Sequence, residues 1–244
     1  MLRHIGAEFG FGPIVIGTCV TLWVITLLAS GRAMRMDGIL SAFAPSQQVL
    51  FAFGASGAYP VFGFGRWWTV LSAGWLHAGL LHIVMNMYWL KQMGPAITDL
   101  MGPARTVIIY TVGGVAGFAL SSFAGAFLGG LPIPFLHGAS MTIGASAPLF
   151  GLIGALYHYG RTTSSVIRQQ ATYIMVQAFV FGLLVPGIDN YAHLGGFAGG
   201  YFTSAFLNPM TRERGDHMII AIVCLVATLL SIIASIVTAL PLLR

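Results

Sequence analysis

The chain has 244 residues, of which 57% are hydrophobic and only 7% charged, and its mean hydropathy is +0.86. A soluble domain carries about 25% charged residues, so an ordinary cytosolic enzyme and a disordered chain are both excluded. The net charge of +5 comes from 11 basic and 6 acidic residues scattered singly. With no basic run to follow a phosphate backbone, nucleic-acid binding is excluded as well. The composition is that of an integral membrane protein.

A helix needs roughly 20 mostly apolar residues to cross the hydrocarbon core. Uncharged runs of that order lie at 13–30, 67–90, 106–128, 171–188, 190–208 and 218–240. The first is 18 residues long, beyond the about 7–15 of a signal-peptide core, and reads as a retained helix. The stretch 31–66 carries Phe43, Phe51, Phe53, Phe62 and Phe64, which predicts a loop lying against the outer leaflet. Residues 129–145 are uncharged but broken by glycines and prolines. Irregular backbone persists at membrane depth only where protein or water covers it. This stretch is therefore expected to dip into the membrane and to feed a short helix over 146–159. Seven helices result: an all-α polytopic membrane protein. Cys19 and Cys224 both sit in apolar runs, so no disulfide framework is indicated.

With the N-terminus inside, the inner segments hold seven basic residues and the outer ones four, in the sense of the positive-inside rule. The C-terminus then lies outside. A bacterial inner membrane fits this bias. No composition shift marks a second soluble domain.

Polar groups inside spans are costly and point to function. His82 and Asn86 are four apart and share a helix face. Ser146 stands in Gly144-Ala145-Ser146-Ala147-Pro148, where Pro148 favours a helix start. His193 stands in Ala192-His193-Leu194-Gly195-Gly196. The expected topology puts all four toward the outer side. A serine beside a histidine base, with side-chain and backbone N–H donors for an oxyanion, is a set suited to acyl transfer. Small-residue ridges at Ala147/Gly151/Ala155, Gly195/Gly199 and Gly196/Gly200 would let two helices approach closely. Taken singly, Ser146 reads as a helix cap, His193 as a buried histidine, and His82 with Asn86 as interhelical glue. Asp189 reads as the cap of the sixth helix rather than a third catalytic member. The role of His77 is open, and His4, His137, His158 and His217 have no identifiable partners in the sequence.

Together the motifs resemble the rhomboid family of intramembrane serine proteases. They are His77 with His82 and Asn86, then Gly144-Ala145-Ser146, then Ala192-His193-Leu194-Gly195-Gly196 with Gly200. The resemblance spans about residues 66–207. It implies a six-helix bundle over 1–208, including loop 31–66, followed by an inner linker and a seventh helix over 209–244. It implies a catalytic dyad of Ser146 and His193, oxyanion donors from His82, Asn86 and the Ser146 N–H, and Phe150 stacked on the histidine. Substrates would be transmembrane proteins admitted laterally from the bilayer near helices two and five and cut beside a small residue, with no metal or cofactor. Three positions depart from the pattern. Ala147 replaces glycine, Trp68 replaces arginine in the loop-one pair, and Thr98 replaces glutamate between Gly94 and Gly102. A lipid-facing packing role is expected for the seventh helix.

The main rival reading is an inactive rhomboid-like protein that binds membrane clients. A second rival, a haem or metal protein with His82 and His193 as axial ligands, leaves Ser146 and its glycines without a role.

Overall fold

A computed structural model describes residues 10–39, 41–128 and 138–242. Among the described residues, seven long helices run in chain order with short ones in the first connection. They are α1 (Phe11–Ser30), α2 (Gln47–Phe53), α3 (Thr69–Ser72), α4 (Leu80–Met101), α5 (Pro103–Phe127), α6 (Ser146–Thr163), α7 (Ser165–Leu184), α8 (Asn190–Leu207) and α9 (Gly215–Ala239). Phe11–Ala33, Pro103–Phe127 and Gly215–Ala239 are each long and apolar enough to cross a membrane alone. Thr69–Trp75 and Leu80–Met101 pass the same test together as a broken span bent by 91°.

The uncharged run 67–90 is therefore not one helix: the second long helix starts just after His77, at the interruption marked by Gly79. The segment enters as α3, continues as a 3-10 turn over Ala73–Trp75, and then loses helical geometry at Leu76. Gly79, in extended backbone, starts α4 afresh. The helix then runs past Lys91 to Gly102, well beyond the apolar run. α6 is also longer than expected, with 18 residues. α7 starts at Ser165 because the Ser164 hydroxyl accepts the Ile167 N–H and caps it. Hydropathy marks the hydrocarbon-compatible part of a segment, whereas caps and breaks mark the helix. The expected membrane-dipping loop falls largely on 129–137, outside the described residues, as do His4 and His137.

α5 is the central helix: 56% of its span is buried, against 22% for the α1 span and 28% for α9. It packs on α6 and α8, and those two pack on each other. Lipid tails are as apolar as leucine side chains, so helices in a bilayer associate through close van der Waals contact that small residues permit. α8 carries two glycine edges for two different neighbours. Gly196 and Gly200 face the carbonyls of Ala147 and Gly151 on α6, while Gly195 and Gly199 face Ala116, Gly117 and Gly113 on α5. The glycines of α5 complete the joint, with Gly113 set against the Gly151 Cα.

Gly200→Val drives a side chain into the Gly151 carbonyl and is expected to cost about 1–3 kcal/mol through overpacking. Gly17→Ala, on an α1 face with open space around it, is expected to be neutral. Thermal unfolding in detergent of both variants checks the pair; equal melting temperatures would contradict the packing scheme.

Candidate active site

Ser146 is the first residue of α6 and is partly exposed. It follows Gly144, whose φ of +125° favours glycine. A side chain is excluded there for a second reason. A Cβ on Gly144 would lie 2.6 Å from both Cε1 and Nε2 of His82, so the His82 ring lies directly against this turn. The Ala78 N–H donates to His82 Nδ1 (3.3 Å). The neutral ring therefore carries its hydrogen on Nε2, the edge turned toward Gly144.

Asn86, buried one turn along α4, donates one amide hydrogen to the His82 carbonyl (2.9 Å) and keeps a second to give. Fully buried His77 supports the same turn from beneath. Its Nε2 accepts the Ala145 N–H (3.5 Å), and its ring meets His82 edge-on at 5.2 Å between centroids. The Gly144 N–H donates to the Ala73 carbonyl (3.0 Å), which anchors the residue two before Ser146.

His193 is buried in the first turn of α8. Its ring lies flat on Phe150, one turn after Ser146, with centroids 4.1 Å apart and planes 13° off parallel. Phe179 of α7 closes the stack edge-on, 5.0 Å from Phe150 and 6.3 Å from His193. Ala147 and Ala192, the immediate neighbours of Ser146 and His193, pack together with Phe118. The structure thus brings Ser146, His193, His82, Asn86 and Phe150 to one end of the bundle.

The carboxylate of Asp189 is directed elsewhere. One oxygen accepts the Ala192 N–H (3.0 Å), capping α8, and the other accepts the Ser121 hydroxyl. His193 Nδ1 is buried with no hydrogen-bond partner among the described residues. The imidazole is held by ring stacking rather than by an acid. A second serine–histidine pair joins the same two helices farther along, His158 Nδ1 and Ser204 Oγ at 3.1 Å, with Ser204 fully buried.

The family model for the Rhomboid domain matches residues 64–210, which contain every residue of this cluster. The chain belongs to the rhomboid family. It is 31% identical over 180 residues to the rhomboid protease GluP of Bacillus subtilis, covering 72% of this chain and 33% of that protein. It is 31% identical over 164 residues to RHOMBOID-like protein 2 of Arabidopsis thaliana, covering 65% and 48% respectively. It is 29% identical over 185 residues to Rhomboid-like protease 5 of Toxoplasma gondii, covering 73% and 20%. The chain therefore matches between a fifth and about half of the length of these relatives.

Two of the positions expected to depart from the rhomboid pattern have defined local surroundings. The Ala147 methyl is buried against Ala192 and Phe118, in the space facing Gly117. Four residues beyond Thr98, at Gly102, a carboxylate arrives from the linker before α9. Glu213 Oε1 accepts the Arg105 N–H (2.8 Å) in the first turn of α5 and lies against Gly102, where a Cβ would come within 2.6 Å of it. Arg105, itself buried, donates to the carbonyls of Met101 (3.2 Å) and Arg212 (3.1 Å) and to the Thr211 hydroxyl (3.3 Å).

Sequence reasoning left His77 without a role and did not single out Phe179 or Ser121. The five-residue spacing of His77 from His82 was a usable signal. Phe179 and Ser121 offered none, because their part depends on how α7 and α5 pack against α8.

Gly144→Ala meets both the positive φ and the His82 ring. It is expected to lower stability by about 1–3 kcal/mol and to change the environment of His82. Melting curves with histidine-resolved NMR in detergent check this. A wild-type His82 signal in the variant would show that the ring does not sit where described.

Proposed function

We propose that this rhomboid is an intramembrane serine protease that hydrolyses peptide bonds in or near transmembrane segments of membrane-protein substrates. Ser146 is the nucleophile and His193 its general base and acid. The observation that carries the reading is the placement of His193 on Phe150, one turn beyond a serine that opens a helix.

His193 takes the hydroxyl proton as Ser146 Oγ attacks the peptide carbonyl, forming the C–O bond of a tetrahedral adduct. The adduct's negative oxygen is received by His82 Nε2–H, the free amide hydrogen of Asn86 and the backbone N–H of Ser146. Collapse breaks the C–N bond, and His193 returns the proton to the leaving amine. Water then hydrolyses the acyl-enzyme with His193 again as base. All the groups required are side chains and backbone of this chain, so no cofactor or metal enters the reading. Phe150 fixes the imidazole plane, which limits the directions open to its proton.

Two relatives named as proteases, from Bacillus subtilis and Toxoplasma gondii, support this over the reading of an inactive client-binding protein. So does the presence of both Ser146 and His193, one of which a non-catalytic relative typically loses. Lateral access for the substrate fits α7, whose buried residues are Ala171 and Gly182 alone among those described. The reading also includes a bacterial inner membrane with the N-terminus inside and the C-terminus outside. It divides the chain into a core over 1–208 and a linker with the seventh helix over 209–244.

Purified protein is expected to react covalently with a serine-directed fluorophosphonate. Ser146→Ala and His193→Ala should abolish labelling. His82→Ala and Asn86→Ala should slow it by about 10²–10³-fold, as loss of an oxyanion donor does. Asp189→Asn, which keeps the cap acceptor, should label within a few-fold of wild type. Folded wild type that stays unlabelled in both detergent and lipid would sink the dyad and favour the client-binding alternative.

A further inference from the structure

α9 is the most apolar of the helices able to span, yet it buries a polar line on one face: Thr228, Ser231 and Ser235, ending at Ala239. Hydroxyls in an apolar span need partners, and two of these find them in loop one, the connection 31–79 between α1 and α4. The Ser231 hydroxyl donates to the Trp68 carbonyl (2.6 Å). The Trp68 indole N–H donates to the Ser235 hydroxyl (3.2 Å). The Ser235 backbone carbonyl, about one turn from the helix end, accepts from Arg66 Nη2 (2.6 Å), where the helix dipole favours a cation. Arg66 is buried despite its charge. It also donates Nη1 to the Phe51 carbonyl (2.7 Å) at the end of α2 and lies 4.4 Å from the Phe51 ring centroid.

From these anchors two short backbone routes reach the turn before Ser146. In the first, α2 ends at Gly54, where a Cβ would come within 2.7 Å of the Ser235 hydroxyl. The chain then pairs with the nucleophile loop: Ser56 and Thr142 exchange both N–H···O bonds (3.0 and 2.7 Å), and Ala58 and Tyr59 donate to Ala139 and Ser140 (3.0 and 2.9 Å). In the second, Trp68 leads into α3, where the Ser72 hydroxyl donates to the Gly54 carbonyl (2.9 Å). The Ala73 carbonyl then holds the Gly144 N–H (3.0 Å).

We infer that α9 is a positioning element for the nucleophile, with Ser231 and Ser235 fastening loop one through Trp68 and Arg66 so that loop one holds the segment leading to Ser146. Trp68, which departs from the family's arginine, is the residue that faces α9, while Arg66 supplies the buried guanidinium. The inference rests on Ser146 being the nucleophile, and its structural half is measurable without that.

The test uses the full chain in detergent or nanodiscs. Ser231→Ala/Ser235→Ala is compared with wild type by amide exchange over 54–59 and 139–144 and by the rate of fluorophosphonate labelling. Exchange in those two stretches should rise about five-fold for each hydrogen bond lost, with α5 and α8 unchanged, and labelling should slow in parallel. Ser235→Thr, which keeps the hydroxyl, should restore both. Trp68→Phe, which removes only the indole donor, guards against a poorly folded double variant. It should match Ser235→Ala, and combining the two should add nothing further. Wild-type exchange and labelling in the serine variants would overturn the clamp, as would a rise spread evenly through α5, α6 and α8. If wild type itself never labels, the protease reading falls, and the exchange arm still decides whether α9 holds loop one.

Discussion

Backbone-to-backbone approach of α5, α6 and α8 is the constraint on which the other features of this molecule depend. Without a hydrophobic force to drive helices together in lipid, the joint is held by contact distance. Contact distance here is set by hydrogen atoms standing where side chains would be. Gly196 and Gly200 rest on the carbonyls of Ala147 and Gly151, and Gly195 and Gly199 rest on α5. Because Ser146 and His193 occupy the adjoining ends of α6 and α8, their relative position inherits the rigidity of that joint. The stack of His193 on Phe150 is a continuation of the same interface into aromatic contact.

Around this joint lies a second tier of support, made of polar contacts to backbone. His77 and Ala73 hold the peptide before Ser146, Asp189 and Ser121 tie α8 to α5, and Arg66 ties α2 to α9. The linker to α9 does the same at the other end through Glu213 and Arg105. The seventh helix and its linker therefore make polar ties to the core at two places, through Trp68 with Arg66 and through Glu213 with Arg105, and α9 also packs along α5 through Ala221 against Ala104 and Ile108. An appended helix facing only lipid would make none of these contacts.

Much of this was legible in the sequence. Long uncharged runs announced the helices, the polar residues inside them marked the cluster, and the glycine spacing marked the joint. What could not be read had physical causes. The break between Trp75 and Leu80 is invisible to hydropathy, because a 91° bend leaves the apolar count unchanged. The length of α6 and the start of α7 turn on a cap at Ser164, a single hydroxyl in a polar stretch. The polar line on α9 was present as Thr228, Ser231 and Ser235. Serine and threonine in an apolar run carry no charge to draw notice, and the partner of the two serines, Trp68, lies more than 160 residues away in sequence. Phe179 shows the same limit, since one aromatic among many acquires meaning only from its neighbours in space.

The same two helices that carry Ser146 and His193 also carry His158 and Ser204, hydrogen-bonded with the residue types exchanged between them. Proximity of a hydroxyl to an imidazole along this interface is therefore not in itself a mark of reactivity. The two combinations differ in surroundings. Ser204 is fully buried near the end of α8, while Ser146 is partly exposed and opens a helix whose first N–H groups have no intrahelical acceptor. On the proposed function, then, reactivity would be allotted by address: the same two functional groups serve as packing at one level of the bundle and as reagents at the other.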